Sequence, residues 1–194
     1  ALIDYSKAIE LAPNDPRNWY NRAYFYKYYL GDDEAALSDY QNALKVDPEF
    51  VTAITGIGVY YQNKGELQTA IEQYEKGMTL EKSNPEAAAF CYYNRASIYS
   101  EQNKLQEAEN DYTKAIELDP NNPNRYDQRA QFYADYLKDY DKAFKDYSKA
   151  IEIDPENPDN WYARGKFSSI YNGDDNLALK DFNKALDIDL GHAN

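Results

Sequence analysis

Apolar and small residues recur along the chain at a helical spacing, and the whole arrangement then repeats. The phrase A-x-x-D-Y/F-x-x-A-I/L begins at Ala1, Ala36, Ala108, Ala143 and Ala178, and a looser copy, AIEQYEKGM, begins at Ala70. Its first alanine, its aromatic residue and its final pair stand at i, i+4, i+7 and i+8, on one face of an α-helix. Successive copies are 35, 34, 38, 35 and 35 residues apart. This period predicts one supersecondary unit repeated in series.

A second helix is predicted before each copy of the phrase. In these stretches a large apolar residue is followed four positions later by a small one, as Trp19 is by Ala23. Small side chains let two helices approach closely, while the aromatic residues fill the space on either side. Asp-Pro pairs end the second helix at Pro48, Pro120 and Pro155, because proline cannot continue a helix. Each unit is therefore predicted to be a helical hairpin.

This pattern closely resembles the tetratricopeptide repeat family. That repeat carries a bulky residue at its fourth position, a small one at the eighth, Tyr at the eleventh, Ala at the twentieth, an aromatic residue at the twenty-fourth, Ala at the twenty-seventh and Pro at the thirty-second. The first full repeat supplies Trp19, Ala23, Tyr26, Ala36, Tyr40, Ala43 and Pro48, with one extra residue in its hairpin turn. The third repeat supplies Tyr92, Ala96, Tyr99, Ala108, Tyr112, Ala115 and Pro120 without an extra residue.

The resemblance implies an all-α fold, a right-handed superhelical solenoid of antiparallel helical hairpins. A single array is expected over 1–194, with 1–13 as a second helix that lacks its first helix. The full repeats are expected at 16–48, 51–82, 89–120, 123–155 and 158–190.

The period is irregular near residues 81–88. Lys82 stands where the helix-stopping proline is expected. Asn84 is a favourable N-cap and Pro85 suits a first helical position. A first helix is therefore predicted to begin near Pro85 and to be about one turn longer than the others.

The charge balance disfavours two classes of partner. Lys and Arg number 21 against 34 Asp and Glu, for a formal net charge of −13. Binding to nucleic acid or to an anionic membrane requires a basic surface, so neither is expected as a partner. No apolar run approaches the roughly 20 residues that span a bilayer, and no basic-then-apolar leader precedes Ala1. A soluble protein is expected; the compartment is unknown, with a cytoplasmic one favoured.

Catalysis and metal binding are not expected. The single histidine, His192, lies close to the C-terminal end, and the sequence has neither a Gly-rich phosphate loop nor a His-containing metal cluster. Cys91, the single cysteine, is expected to be a small buried residue. The acidic runs at Gly31 and Asn172 fall at hairpin turns, where Asp caps the next helix. We therefore expect no catalytic residue, no metal and no cofactor.

Arginine and aspartate vary together along the repeats. Four first helices carry Arg three residues after the bulky position, and the second helices of the same repeats carry Asp. In the second repeat both are replaced, by Ile57 and Gln73. Because a half-buried charge left alone is unfavourable, the joint loss predicts an ion pair inside each hairpin. The predicted pairs are Arg22–Asp39, Arg95–Asp111, Arg129–Asp146 and Arg164–Asp181.

Tyrosine is in excess, at 21 residues. The resemblance implies that positions two, five, nine, twelve and thirteen line an inner groove, and five surplus tyrosines fall there. These rings either pack on neighbouring helices or contact a partner. The predicted groove begins at an aromatic, cationic end and becomes neutral and then acidic. Its residues are Arg17, Tyr20, Tyr24, Lys27, Tyr28, Thr55, Val59, Gln62, Tyr93, Ser97, Asp127, Gln131, Tyr162 and Lys166.

The resemblance favours a non-catalytic scaffold that binds a peptide segment or helix of another protein in its concave groove. One alternative is an architectural segment of a larger repeat protein, or an array that self-associates end to end through uncovered stacking faces. A distant alternative is a co-chaperone that clamps a C-terminal carboxylate. At the five clamp positions the chain offers Thr55, Val59, Asn94, Asn124 and Gln128, of which one matches the clamp pattern.

Overall fold

The structure, a computed structural model, describes residues 1–192, with the side chain of His192 and residues 193–194 outside that part. The predicted all-α fold of helical hairpins is confirmed there. The helices are α1 Leu2–Leu11, α2 Pro16–Phe25, α3 Asp33–Val46, α4 Val51–Asn63, α5 Leu67–Met78, α6 Pro85–Glu101, α7 Leu105–Leu118, α8 Pro123–Phe132, α9 Tyr140–Ile153, α10 Pro158–Phe167 and α11 Asp175–His192. Among these helices none is both long and apolar enough to cross a membrane.

The chain forms two compact units, Ala1–Arg95 and the described residues from Ala96 onward. In the first unit α1 packs on α2, α2 on α3, α3 on α4 and α4 on α5. In the second unit α7 to α11 follow the same order. Each consecutive pair is joined by a short turn, as the repeated sequence predicts.

Four of the first helices, α2, α6, α8 and α10, begin with the same local device. An Asp or Asn caps the helix and a proline follows it, as with Asp15 and Pro16 before α2. The Asp15 carboxylate accepts the backbone N–H of Arg17 at 3.0 Å. Proline at the first helical position has no N–H to leave unsatisfied. The equivalent caps of α8 and α10 are Asn122 and Asn157.

Three of the first helices end in a wider helical turn. The π-helical segments Tyr26–Leu30, Tyr133–Leu137 and Ser168–Asn172 continue α2, α8 and α10. In these three repeats the small residue of the first helix and the first alanine of the second helix are thirteen positions apart, as Ala23 and Ala36 are. In the other two repeats they are twelve positions apart. The widened turn absorbs the additional residue. It then closes on a left-handed residue, Gly31, Lys138 or Gly173.

Helix α6 begins at Pro85, as predicted, and the backbone N–H of Ala87 donates to Asn84 Oδ1 at 3.2 Å. Its 17 residues exceed the 13 of α4 by about one turn. Over the other three first helices the excess is two residues rather than the expected full turn, because each of those ten-residue helices gains five π-helical residues.

The interior is built from small residues facing aromatic rings. Ala23, Ala36 and Ala43 are almost fully buried beside Tyr40. Gly58 stands where the first repeat carries Ala23, and a Cβ there would clash with the ring of Tyr74. The close approach of α4 and α5 therefore requires glycine at this position.

Three of the four predicted Arg–Asp pairs are observed, each inside one hairpin of one unit. In each, Nε and Nη2 of the arginine bind both carboxylate oxygens at 2.6–2.9 Å. The remaining guanidinium nitrogen donates to a hydroxyl on the preceding second helix at 3.1–3.2 Å. Each guanidinium thus joins three helices. The pairs with their hydroxyl partners are Arg22–Asp39 with Ser6, Arg129–Asp146 with Thr113, and Arg164–Asp181 with Ser148.

The second repeat replaces this network with apolar packing. Ile57 is 6% exposed and belongs to the core cluster of the first unit. The helix before it carries Gln41 at the position of the hydroxyl residue, so all three members of the network change together. In the third repeat, Arg95 Nη1 donates to Glu75 Oε1 at 3.0 Å.

Candidate protein-binding pockets

An aromatic stripe runs along the exposed side of α2 and its π-helical continuation. It consists of Tyr20, Tyr24 and Tyr28, which are spaced by one helical turn and so lie on one face. The ring centroids of Tyr20 and Tyr24 are 6.5 Å apart, and those of Tyr24 and Tyr28 are 4.4 Å apart. Tyr24 is 44% exposed and Tyr28 60% exposed. The stripe therefore presents two rings to a ligand.

Tyr20 differs from the other two rings because it also packs inward. Its ring lies 5.8 Å from that of Tyr40 and 5.9 Å from that of Phe50, centroid to centroid. Burial raises the pKa of its hydroxyl. Of the two roles considered for these rings, packing and ligand contact, Tyr20 has the packing role, since its ring stabilises the packing of α2 on α3 and α4 while it also lines the adjacent pocket.

The stripe forms one wall of a pocket of about 330 Å³ in the first unit. We call it the aromatic pocket. Helix α4 supplies its second wall and the start of α6 its third. The lining residues are Tyr20, Tyr24, Lys27, Tyr28, Tyr40, Thr52, Thr55, Gly56, Val59, Ala87 and Phe90. Six of the fourteen predicted groove residues, Tyr20, Tyr24, Lys27, Tyr28, Thr55 and Val59, are brought together here.

Lys27 is the one charged side chain that lines the aromatic pocket. Its Nζ lies 5.3 Å from the centroid of the Tyr28 ring. Burial lowers the pKa of Lys27, and the charge of Asp33 opposes that effect. In the described part of the chain no carboxylate lies within ion-pair distance of this ammonium group. The pocket thus contains a partly desolvated cation that feels the charge of Asp33 but has no carboxylate in direct contact among the described residues.

Other predicted residues of the first unit are engaged within the protein. Arg17 binds the Asp15 carboxylate, with Nη2–Oδ2 at 2.7 Å, and does not line the pocket. The Thr55 hydroxyl donates to the Val51 carbonyl at 2.8 Å. Gln62 Oε1 accepts the Tyr74 hydroxyl at 2.8 Å. Tyr93 packs on Phe90, with ring centroids 6.0 Å apart.

A second pocket, of about 450 Å³, lies within the second unit, between α8 and α10 with their π-helical continuations and against α9. We call it the acidic pocket. Four more predicted residues, Asp127, Gln131, Tyr162 and Lys166, line it, whereas Ser97 of α6 does not. The other lining residues are Asn124, Ala134, Asp135, Tyr147, Asp159, Asn160, Ala163, Phe167, Ile170 and Tyr171.

The acidic pocket carries three carboxylates and one lysine. Asp127 accepts the Gln131 amide at 2.7 Å, and Asp135 accepts the Tyr171 hydroxyl at 2.6 Å. Burial raises the pKa of the Asp127 carboxyl, and the nearby charge of Asp159 adds to that rise. The two units therefore carry pockets of opposite character, one aromatic with a cation and one rich in carboxylates.

Several lining residues that were not predicted stand at the second position of their repeats. Thr52, Phe90, Asn124 and Asp159 all occupy this position. The signal was available, because that position is among those that line the groove in the repeat pattern.

Family models confirm the repeat pattern along most of the chain. Tetratricopeptide repeat models match residues 5–38, 26–78 and 89–122, and a TPR repeat model matches 136–167. The chain is 38% identical over 84 residues to small glutamine-rich tetratricopeptide repeat-containing protein 2 of Mycosarcoma maydis, a match that covers 43% of this chain and 24% of that protein. It is 33% identical over 86 residues to Hsp70-Hsp90 organizing protein 2 of Arabidopsis thaliana, covering 44% of this chain and 15% of the relative. These matches thus span about a quarter or less of the relatives' lengths.

Solved structures share the solenoid architecture. MamA superposes with a TM-score of 0.63 at 29% identity, over 86% of this chain and 94% of that chain. YrrB, a TPR protein with an unusual peptide-binding site, superposes with a TM-score of 0.57 at 25% identity, over 100% of this chain and 96% of that chain. The predicted solenoid fold class is confirmed by these likenesses.

Proposed function

The chain belongs to the tetratricopeptide repeat family, and from that membership we propose that it is a non-catalytic scaffold that binds an extended segment of another protein along its first helices. The observation that carries the proposal is the aromatic pocket, where Tyr24 and Tyr28 are exposed beside an unpaired lysine. Aromatic rings bury a large area on binding and have few rotamers to restrict. YrrB, whose fold this chain shares, is described as having an unusual peptide-binding site, which supports a peptide as the class of ligand.

An extended segment suits the surface better than a globular ligand. The aromatic pocket is small, at about 330 Å³, so it has room for a few side chains rather than for a folded domain. Side chains of an extended chain can occupy such pockets while its backbone remains on the surface. The acidic pocket provides a further contact region of the same scale, at about 450 Å³.

The co-chaperone alternative has support from relatives by name but not from the residues at the clamp positions. Clamping a terminal carboxylate requires polar donors that face the groove. The Thr55 hydroxyl donates to the Val51 carbonyl, and the Asn94 amide donates to the Phe90 carbonyl at 2.7 Å. The Thr55 hydroxyl proton and one of the two Asn94 amide protons are therefore already engaged within the protein, and we favour a different ligand.

The architectural and self-associating alternative rests on a different surface. Leu179 and Leu186 of α11 are 61% and 54% exposed, and Ile3 and Leu11 of α1 are 84% and 76% exposed. Exposed apolar faces can pack on a neighbouring repeat. If this alternative is correct, the apparent mass in light scattering rises with concentration, and Leu179→Glu abolishes that rise.

Peptide display on the immobilised protein tests the leading proposal. Peptides enriched from a random library should bind in the aromatic pocket, so Tyr28→Ala or Tyr24→Ala should weaken their binding by about 1 to 3 kcal/mol. Tyr29→Ala is the matched control, because Tyr29 is 71% exposed but stacks on Phe25 outside the pocket. Equal losses with Tyr28→Ala and Tyr29→Ala, or no loss with either, would contradict this location of the site.

A further inference from the structure

We infer that the segment bound in the aromatic pocket carries a large apolar side chain next to an acidic residue, and that the side-chain carboxylate of that residue pairs with Lys27. This inference rests on the proposed function and specifies the chemistry of the partner. It commits to an internal acidic side chain of another protein.

The apolar requirement follows from the lining of the pocket. Four tyrosine rings line it together with Val59 and Phe90. The exposed rings of Tyr24 and Tyr28 lie 4.4 Å apart and form a continuous face. A large aliphatic or aromatic side chain removes this face from water, whereas a small or charged one leaves it exposed.

The acidic requirement follows from Lys27. Its ammonium group lies over the Tyr28 ring at 5.3 Å, and its environment already disfavours the charged form. In the unbound protein the partial desolvation of this cation is therefore not compensated by an ion pair. A carboxylate of the ligand would form an ion pair with the ammonium group and so offset its desolvation. The pocket is poor in water, where such a charge-assisted hydrogen bond is strong.

Charge complementarity is specific to this pocket. The net charge of the whole chain is −13, which repels an acidic segment from most of the surface, and no acidic residue lines the aromatic pocket. Lys27 thus marks the place where a carboxylate is accepted. A chain-terminal carboxylate is usually held by several converging donors, whereas one ammonium group suits a single side-chain carboxylate.

The test compares selected peptides on matched proteins. Peptides enriched from the random library on the wild-type protein are synthesised with acetylated and amidated ends, each with Glu or Gln at the acidic position. Their affinities are measured by fluorescence anisotropy on the wild type, on Lys27→Met and on Lys45→Met. Lys45 serves as the control because it is exposed on α3, donates to Asn42 and does not line the pocket.

The enriched peptides should share an acidic residue beside a large apolar one. Replacing Glu by Gln should weaken binding about tenfold to the wild type and to Lys45→Met, and by less than about twofold to Lys27→Met. Enriched peptides without an acidic residue, an equal Glu-to-Gln effect on Lys27→Met, or binding that is lost on amidation would overturn the inference and leave the proposed function standing. A library that yields no enriched peptide would count against the proposed function itself.

Discussion

The Arg129–Asp146 pair offers the sharpest test of how the hairpins are stabilised. It lies in an internal repeat of the second unit, with side chains 17% and 10% exposed. The second repeat shows the natural alternative, Ile57 with Gln73. We therefore consider four proteins: the wild type, Asp146→Gln, Arg129→Ile and the double variant that copies the second repeat into the fourth.

The expected magnitudes follow from the geometry. Asp146 accepts two guanidinium hydrogen bonds, at 2.7 and 2.9 Å, and its removal leaves Arg129 with Thr113 as its one remaining side-chain hydrogen bond in the described residues. An uncompensated half-buried charge destabilises by about 3 kcal/mol, and each single variant creates one. The double variant creates none, so its free energy of unfolding should lie within about 1 kcal/mol of the wild-type value.

Urea unfolding followed by circular dichroism measures these free energies, and the four proteins form a double-mutant cycle. The coupling energy should be at least about 2 kcal/mol. Equal slopes of the four transitions are required for the comparison, because repeat proteins can lose cooperativity. Lys149→Ala is the control, since the Lys149–Glu152 pair in the same unit is 42% and 70% exposed and its loss should change stability by about 0.5 kcal/mol or less.

The reasoning would be refuted by a coupling energy near zero. That result would mean that the two charges are solvated independently and that the hydrogen-bond geometry adds no stability. A double variant as unstable as the sum of the single variants has the same meaning. In either case the joint loss of arginine and aspartate in the second repeat would need another physical cause.

Two further predictions concern the turns and the buried thiol. Lys138 adopts a left-handed conformation with φ of 56°, so Lys138→Gly should raise the free energy of unfolding by about 0.5 to 1 kcal/mol, whereas Gly31→Ala at the equivalent turn should lower it by a similar amount. Urea titrations check both, and a destabilised Lys138→Gly would contradict the strain argument. Burial raises the pKa of the Cys91 thiol to about 11, so little thiolate forms at neutral pH and a disulfide reagent should modify it at the rate of unfolding. Rapid modification of the native protein, at a rate independent of added urea, would show that the thiol is accessible.

The helices and the ion pairs could be predicted because both leave signals inside each repeat. The apolar period fixes which face of a helix is buried, and repetition tests that assignment several times in one chain. The arginine and aspartate positions vary together within one sequence, which is evidence of contact. The third member, the hydroxyl of Ser6, Thr113 or Ser148, was missed because it belongs to the preceding repeat and was not compared with the arginine that follows it.

The π-helical turns could not be placed from the sequence. An extra residue was visible in the first hairpin turn, but an insertion can be absorbed by a longer loop or by a wider helical turn. The choice depends on hydrogen bonds across the turn, such as that from the Asp32 N–H to the Tyr26 carbonyl at 3.0 Å. Glycine indicates the left-handed closing residue at Gly31 and Gly173, whereas Lys138 gives no such indication.

At the candidate site, the position of a residue within its repeat predicts only part of its role. The position predicts which way a side chain leaves the helix, but its local hydrogen bonds decide whether the polar end remains available. Arg17 is drawn to the Asp15 cap, and Thr55 bonds back to the preceding turn. Tyr20 and Tyr24 point to the same side of α2, yet Tyr20 meets Tyr40 and Phe50 while Tyr24 remains 44% exposed. Whether such a side chain packs inside the protein or stays available to a ligand therefore depends on its contacts with residues of other helices.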